Sequence, residues 1–227
     1  AQKIEELAML FCDPTAGPGT SLAVGGGTAT CDANATAMQV AVNLLNYVSG
    51  NIGTTVVFGP DSSVGQTSTY RDMLDLIDAM NGDQVELLIL HDVNPLFTLP
   101  TAAGFAAALS RVPFVVSLSS FPDETTSRAD LILPIHTPLE SWGDHEPRAG
   151  VRGLMQPVMQ PVFDTQHVGD LLLEVARALG EEVSAAFPQT TFDAYLRDAW
   201  QALQQEVAPE SEFQTFWADA LRRGGLW

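Results

Sequence analysis

Three short apolar runs, separated by two helical patterns, constrain the fold of this 227-residue chain more than any other feature. Residues 85–90, 114–118 and 131–133 are almost wholly apolar, which is typical of strands buried on both faces of a sheet. Helical patterns at 101–110 and 124–129 lie between them. Strands alternating with helices through short connections predict an α/β fold: a Rossmann-like, mostly parallel sheet with helices on both faces.

Amphipathic patterns predict further helices before and after this segment, at 4–11, 35–48, 70–80, 168–179, 192–207 and 213–221. The aromatic residues of the last two, the C-terminal helices, are expected to pack in a core. A polar stretch after Phe58 favours a domain boundary. We therefore predict three parts, namely 1–60 as the end of one Rossmann-like lobe, 61–180 as a second Rossmann-like lobe and 181–227 as a C-terminal helical segment.

The composition excludes several classes of partner. A formal net charge of −18 argues against nucleic acid, because no basic surface is available to follow a phosphate backbone. No apolar run approaches the roughly 20 residues that a membrane helix needs, so direct membrane insertion is not expected. The chain starts without Met, inside a charged amphipathic helix, and contains no targeting signal. We therefore expect a piece of a longer protein.

A glycine turn near the start resembles the phosphate-binding geometry of nucleotide sites. Apolar residues 21–24 predict a strand, Gly25, Gly26 and Gly27 follow it, and a long helix is predicted from Ala35. A helix N-terminus after such a turn attracts phosphate. The turn lacks the GxGxxG pattern, however, and a tight turn that simply requires glycine explains it equally well. Another short strand is predicted at 56–58.

The turns that follow the three main strands are the next candidates for a site. Because the carboxyl ends of parallel strands meet at one edge of a sheet, ligands bind there in open α/β folds. Three turns fall at this edge, at 91–95, 117–122 and 134–152. Their candidate ligand-binding residues are Asp92, Asn94, Pro95, Ser117, Ser119 and Ser120.

The long turn 134–152 is rich in Pro, Gly, Trp and charged residues, and it adds Trp142, His145 and Arg148 to the candidates. His145 lies between two acidic residues and suits a general base or a metal ligand. A loop histidine bonded to backbone or carboxylates is the simpler interpretation. The charged residues likewise suit either an ion-paired loop or an anion site lined by Arg148 or Arg152.

No complete catalytic or metal-binding pattern is present, so no catalytic residue and no metal ligand is predicted. A GxSxG nucleophile elbow is missing, and the four histidines lack the spacing of a zinc site. Cys12 and Cys31 form no CxxC motif. A disulfide between them and two buried free thiols both remain open.

Three motifs, in this order, resemble the molybdopterin oxidoreductase (dimethyl sulfoxide reductase) superfamily. The first is an apolar helix that ends in Gly50-Asn51-Ile52-Gly53, and the second is a strand followed by Asn94-Pro95. The third is the run ETTSRADLILP at 124–134. The longer string TPLESWGDHEPRAGVRGLMQPVMQPVFDT is similar to the molybdopterin-like iron–sulfur subunit of alternative complex III. The resemblance covers roughly residues 20–180.

The resemblance implies the region where two Rossmann-like lobes hold a pterin–guanine dinucleotide, with the glycine turn and the strand-end turns facing the cofactor. The chain departs from the family pattern because it lacks a cluster-binding cysteine motif and a molybdenum ligand. No cofactor is therefore expected in this piece, which should be redox-silent alone. Whether it is an enzyme is uncertain, although the parent should be an oxidoreductase.

By the same resemblance, the expected partners are the rest of the parent chain, with its iron–sulfur domain, and other subunits of a membrane electron-transfer complex that oxidises quinol. The expected location is the periplasmic or extracytoplasmic face of a bacterial membrane. An alternative is a genuine molybdopterin guanine dinucleotide-binding domain of a molybdoenzyme, such as a polysulfide reductase or formate dehydrogenase type. A plain NAD-binding domain is disfavoured because GxGxxG is missing.

Overall fold

The computed structural model describes residues 2–11, 19–26, 34–59 and 67–227. The chain divides into two compact units, Ala1–Pro60 and Asp61–Trp227. The helices are α1 Gln2–Phe11, α2 Ala35–Val48, α3 Tyr70–Asn81, α4 Pro95–Thr98, α5 Phe105–Leu109, α6 Val168–Ala178, α7 Glu181–Ala186, α8 Phe192–Val207 and α9 Phe213–Arg223. The strands are β1 Leu87–His91, β2 Phe114–Ser119, β3 Leu131–Pro134, β4 Gly143–Arg148, β5 Val151–Met155 and β6 Gly225–Leu226. The three-part division predicted from the sequence stays a prediction.

Two buried asparagines organise the backbone beside α2 in the first unit. Asn46 bonds both the N–H and the C=O of Ala23 through its side-chain amide, each at 2.9 Å. Asn51, in the GNIG motif, donates to Asn46 Oδ1 at 3.0 Å. The strand predicted at 21–24 is wrong, because the Asn46 side chain makes the hydrogen bonds that a neighbouring strand would make. The strand predicted at 56–58 is reduced to one bridge between Ile52 and Val56.

The second unit contains the predicted parallel sheet, in the order β1-β2-β3. Successive side chains of β2 point to opposite faces. Val115 therefore joins the core formed with α3 and α5, whereas Val116 and Leu118 pack with α6. The prediction of an α/β fold with helices on both faces and helices at the C-terminal end is confirmed.

The connections inside this sheet differ from the predicted helices. Gly104, with a φ of 76°, divides the helix expected at 101–110 into a 3-10 turn, Thr101–Ala103, and the short helix α5. The helix expected at 124–129 is only a 3-10 turn, Thr126–Arg128. The segment contains Thr125, Thr126 and Ser127 and follows Asp123, and such side chains compete for backbone hydrogen bonds. The short helices α4 and α7 were not predicted.

A second, antiparallel sheet, β4-β5-β6, forms where a long loop was expected. Strands β4 and β5 make a hairpin whose turn contains Gly150 at a φ of 82°, a conformation that glycine adopts without strain. Leu154 of β5 packs against α8 and α9. An aromatic cluster, defined here as Trp142, Trp200, Phe213, Phe216 and Trp217, fills this contact.

Candidate functional site

The carboxyl edge of the parallel sheet, meaning the ends of β1, β2 and β3 with the turns 91–95 and 119–122, is the first candidate site. Strands β1 and β2 end side by side, since His91 pairs with Leu118. The N–H of Asp92 donates to the carbonyl of Leu118 at 2.9 Å and holds the first turn against the second. Asp92 has a φ of 49°, which is uncommon for a residue with a side chain.

The Asn94 side chain forms hydrogen bonds with residues about 30 positions away, in the run ETTSRADLILP at 124–134. Its side chain donates to Glu124 Oε2 at 2.7 Å and accepts from Thr125 Oγ1 at 2.7 Å. Thr125, which is fully buried, also accepts from the N–H of Leu96 at 3.1 Å. The first turn is therefore fixed to the segment that follows the second turn.

The serines of β2 and its turn are also engaged within the chain. Ser117 lies inside the strand, buried, with its hydroxyl 3.0 Å from that of Thr126. Ser119 donates to the carbonyl of Phe121 at 2.8 Å. Ser120 donates to the carbonyl of Ile135, after β3, at 3.2 Å.

Together, Asn94, Ser117, Glu124, Thr125 and Thr126 form a set of side-chain bonds that we call the strand-end clasp. At the opposite end of the sheet, Asp130 binds the start of β2. Its side chain accepts a hydrogen bond from the N–H of Val115 at 2.8 Å, and its own N–H donates to the carbonyl of Val115 at 2.8 Å. Residues of the run ETTSRADLILP therefore fix the connection between β2 and β3 to both ends of the sheet.

The hydrogen bond from Asn94 lowers the pKa of the Glu124 carboxyl below its ordinary range, because the bond stabilises the carboxylate. A glutamate is already ionised at neutral pH, and the lowered pKa extends the negative charge of Glu124 to more acidic pH. Asp92 is exposed, and its carboxylate has no hydrogen-bond or ion-pair partner within the described ranges.

Trp142, His145 and Arg148 lie with the second sheet instead of the turns 91–95 and 119–122. The Trp142 ring is 6.0 Å from that of Trp217, and the Arg197 guanidinium lies over both rings, at 5.9 and 5.0 Å. The carbonyl of Trp142 accepts from Nε2 of the buried His167 at 2.9 Å. Trp142 is therefore part of a packed core.

His145 and Arg148 are exposed residues of the β4–β5 hairpin. The His145 ring lies over Gly153, where a side chain on Gly153 would collide with it. Glu146 pairs with Arg152 at 3.1 Å and accepts from the N–H of Gly150 at 3.0 Å. The mixed charge of this segment thus includes an internal ion pair, as the simpler interpretation of the sequence proposed.

Gly25 and Gly26 lie in the first unit, beside the side chain of Gln39. An added Cβ at either glycine would meet Gln39 Nε2 at 3.1 Å, and Gly26 has a φ of 106°. Gly27 lies outside the described residues. The cofactor-binding role of all twelve candidate residues stays a prediction.

Several residues that shape the site were not among the candidates. Thr125 and His167 are buried and bonded to distant backbone or side-chain atoms. Glu140 accepts from the N–H groups of Thr137 and Val162, both at 2.9 Å. One signal was available for Glu140, since Thr137-Pro-Leu-Glu140 matches the capping-box pattern.

The chemistry of the carboxyl edge can be compared with what a pterin dinucleotide requires. A pyrophosphate needs N–H or O–H donors and positive charge. The side-chain donors Asn94, Ser119 and Ser120 are all bonded within the chain, and Asp92 brings a negative charge. The side chains of this edge are therefore a poor match to a pyrophosphate.

The described ranges, 2–11, 19–26, 34–59 and 67–227, also bear on metal binding and on membrane insertion. No group of three or more His, Cys, Asp or Glu residues within them could hold a metal ion. Nor is any helix found there long and apolar enough to cross a membrane.

Comparison with known proteins supports the family resemblance. No protein-family model matches the chain. It is 35% identical over 103 residues to the "Menaquinone reductase, molybdopterin-binding-like subunit" of Nitratidesulfovibrio vulgaris, which covers 44% of the chain and 15% of the relative. It is also 29% identical over 110 residues to the "Assimilatory nitrate reductase catalytic subunit" of Bacillus subtilis, covering 47% of the chain and 15% of the relative. The matches thus span less than a sixth of each relative's length. They confirm the resemblance to the molybdopterin oxidoreductase superfamily, whereas the narrower resemblance to alternative complex III stays a prediction.

Proposed function

We propose that this chain, which belongs to the molybdopterin oxidoreductase family, is the central domain of the pterin-dinucleotide-binding type in an oxidoreductase-like protein. In this proposal the domain is redox-silent by itself and has a structural role within a multi-subunit respiratory electron-transfer complex. The relative named as a menaquinone reductase subunit supports membership in a multi-subunit respiratory complex that acts on a quinone. A complex of the alternative complex III type, on the extracytoplasmic face of a bacterial membrane, is the specific form that we propose.

One observation carries the structural role. The polar side chains at the carboxyl edge, where a family cofactor would be expected, bond to one another through the strand-end clasp. Asn94 donates to Glu124 and accepts from Thr125, while Ser117 pairs with Thr126. A site that binds a ligand usually keeps such groups free to converge on it. Here they stabilise the turns themselves.

A second candidate function is a genuine molybdopterin guanine dinucleotide-binding domain. Similarity to the catalytic subunit of a nitrate reductase favours it. Backbone N–H groups could then bind the phosphates in place of side chains. Asp92, an acceptor without a partner in the described ranges, would suit a donor-rich ring of the cofactor.

Cofactor analysis of the protein purified in its native complex separates the two functions. Acid release followed by mass spectrometry detects guanosine monophosphate, oxidation yields a fluorescent pterin, and elemental analysis detects molybdenum or tungsten. We expect neither pterin nor guanine nucleotide in stoichiometric amount. One equivalent of either, lost when Asp92 is replaced by Ala, would establish the second function and contradict the first.

A further inference from the structure

The carboxyl edge also presents large apolar side chains to solvent. Phe97 of α4 is 75% exposed, Phe121 after β2 is 70% exposed, and Val93 after β1 is 54% exposed. They share one edge, because β1 and β2 end in register and Asn94 bonds the first turn to Glu124 and Thr125. We call Asp92, Val93, Phe97, Phe121 and Glu124 the acidic–aromatic edge.

The charge at this edge is negative. Asp92 and Glu124 supply two carboxylates, and the hydrogen bond from Asn94 keeps Glu124 ionised. Arg128 lies further along the connection, towards the opposite end of the sheet, where Asp130 pairs with Val115. The five side chains of the acidic–aromatic edge are therefore two carboxylates, two aromatic rings and the apolar Val93. The exposed His91 at the end of β1 lies next to them in the chain.

A ligand for such a surface must bring N–H donors, positive charge and apolar groups. Phosphate groups and anionic lipid head groups carry the same sign as the edge and are repelled. A second copy of this chain is disfavoured as well, since it has 28 acidic and 10 basic residues. A different polypeptide, with arginine or lysine beside apolar side chains, satisfies all three requirements, because such cations pair with carboxylates and lie over aromatic rings.

We propose that the acidic–aromatic edge docks a basic segment of a partner subunit, which places a cationic side chain at Asp92 and apolar side chains against Phe97 and Phe121. This inference rests on the proposed function, because it requires an edge that holds no dinucleotide. The positive φ of Asp92 fits the same role, since uncommon backbone conformations concentrate where a side chain must be presented to a ligand.

Site-specific photo-crosslinking in the intact complex tests the proposal directly. A benzophenone amino acid replaces Phe97 or Phe121, and Phe163, which is 78% exposed elsewhere on the second unit, is the matched control. We expect Phe97 and Phe121 to crosslink to another polypeptide, at a peptide that contains Arg or Lys, and Phe163 not to do so. Crosslinks only within the chain, or equal yields from all three positions, would overturn the proposal.

A charge substitution provides a second measurement that does not depend on the crosslinker. Asp92→Asn removes the charge, and asparagine tolerates a positive φ, so the fold should be kept. We expect the affinity of the purified protein for the partner identified by crosslinking to fall at least about tenfold at low salt, and the difference to shrink at about 0.5 M salt. Asp75→Asn, an exposed aspartate on α3, is the control. Equal affinities for Asp92→Asn and the native protein would count against the proposal.

Cofactor analysis of the same preparations distinguishes failure of the docking proposal from failure of the proposed structural role. Absence of pterin together with absence of a partner crosslink would refute the docking surface and leave the structural role standing. Bound pterin would refute the structural role and, with it, the docking surface.

Discussion

The strand-end clasp and the aromatic cluster stabilise neighbouring parts of the second unit by different means. The clasp joins turns through short side-chain hydrogen bonds, such as Thr125 to Asn94 at 2.7 Å. The aromatic cluster joins the second sheet to α8 and α9 through packed rings, with Trp200 and Trp217 centred 5.8 Å apart. A hydrogen bond contributes modestly on balance and mainly sets geometry, whereas a buried ring contributes through apolar area and packing.

The candidate residues predicted from the sequence as one binding site therefore divide between these two regions, the clasp and the aromatic cluster. Asn94 and Ser117 belong to the clasp, which fixes the first turn of the carboxyl edge to the segment at 124–126. Trp142, predicted beside them, packs with Trp217 and Arg197 in the aromatic cluster. Substitutions in the two regions should therefore differ in size and in what they disturb.

The largest effect is expected in the aromatic cluster, from Trp200→Ala. Trp200 is 1% exposed, and its Nε1 donates to Asp144 Oδ2 at 2.9 Å. Removing the ring leaves a cavity and an unpaired carboxylate, so the free energy of unfolding should fall by about 3–5 kcal/mol. Denaturant unfolding followed by far-UV circular dichroism measures it. Trp227→Ala, at a position 75% exposed, is the control and should have little effect. Equal losses for the two tryptophans would contradict the assignment of Trp200 to the core.

A smaller effect is expected in the clasp, from Thr125→Val. The substitution keeps the shape but removes the hydroxyl that donates to Asn94 and accepts from the N–H of Leu96. Buried groups left without partners cost about 1–3 kcal/mol of unfolding free energy. Hydrogen exchange of the Leu96 amide should also become faster. Ser127→Ala removes an exposed bond to the carbonyl of Glu124 and should be nearly neutral. If the two variants behaved alike, the clasp would not stabilise the edge.

An effect confined to acid pH is expected at Glu140, which lies in the connection between the two regions. Hydrogen bonds from the N–H groups of Thr137 and Val162 lower the pKa of Glu140. Its stabilising contribution is therefore complete above the unfolded glutamate pKa of about 4.3 and is lost as pH falls through the lower folded pKa. Between about pH 5 and pH 3 the unfolding free energy of the native protein should fall more steeply than that of Glu140→Gln. Glu206→Gln, at an exposed position of α8, should keep the native slope.

The smallest effect is expected from His145→Ala. His145 is exposed on the β4–β5 hairpin, with its ring over Gly153. Surface substitutions of this kind usually change the unfolding free energy by no more than about 0.5 kcal/mol. A thermal melt compared with that of Trp200→Ala checks this. A loss above about 1 kcal/mol would show that the hairpin depends on His145 in the way that the aromatic cluster depends on Trp200.

The sequence by itself determined the parallel sheet and the approximate positions of most helices. The runs at 85–90, 114–118 and 131–133 are short and apolar, which is a local signal of a buried strand. The structure buries both faces of the central strand β2. The flanking strands are more open, because Leu87 and Ile89 of β1 and Leu131 and Ile132 of β3 are 40–53% exposed. The Thr137-to-Glu140 capping pattern is equally local. The helix expected at 101–110 failed at Gly104, where a single positive φ interrupts an otherwise helical stretch.

Only the tertiary structure decided which polar groups are engaged and which face solvent. Asn94 meets Thr125 across 31 positions, and Trp200 meets Asp144 across 56, through the register of strands and the packing of helices. Side-chain partners at that separation have no periodic signature in a single sequence. For the same reason the second sheet was expected as a loop, because its short strands are stabilised by α8 and α9 and not by their own composition.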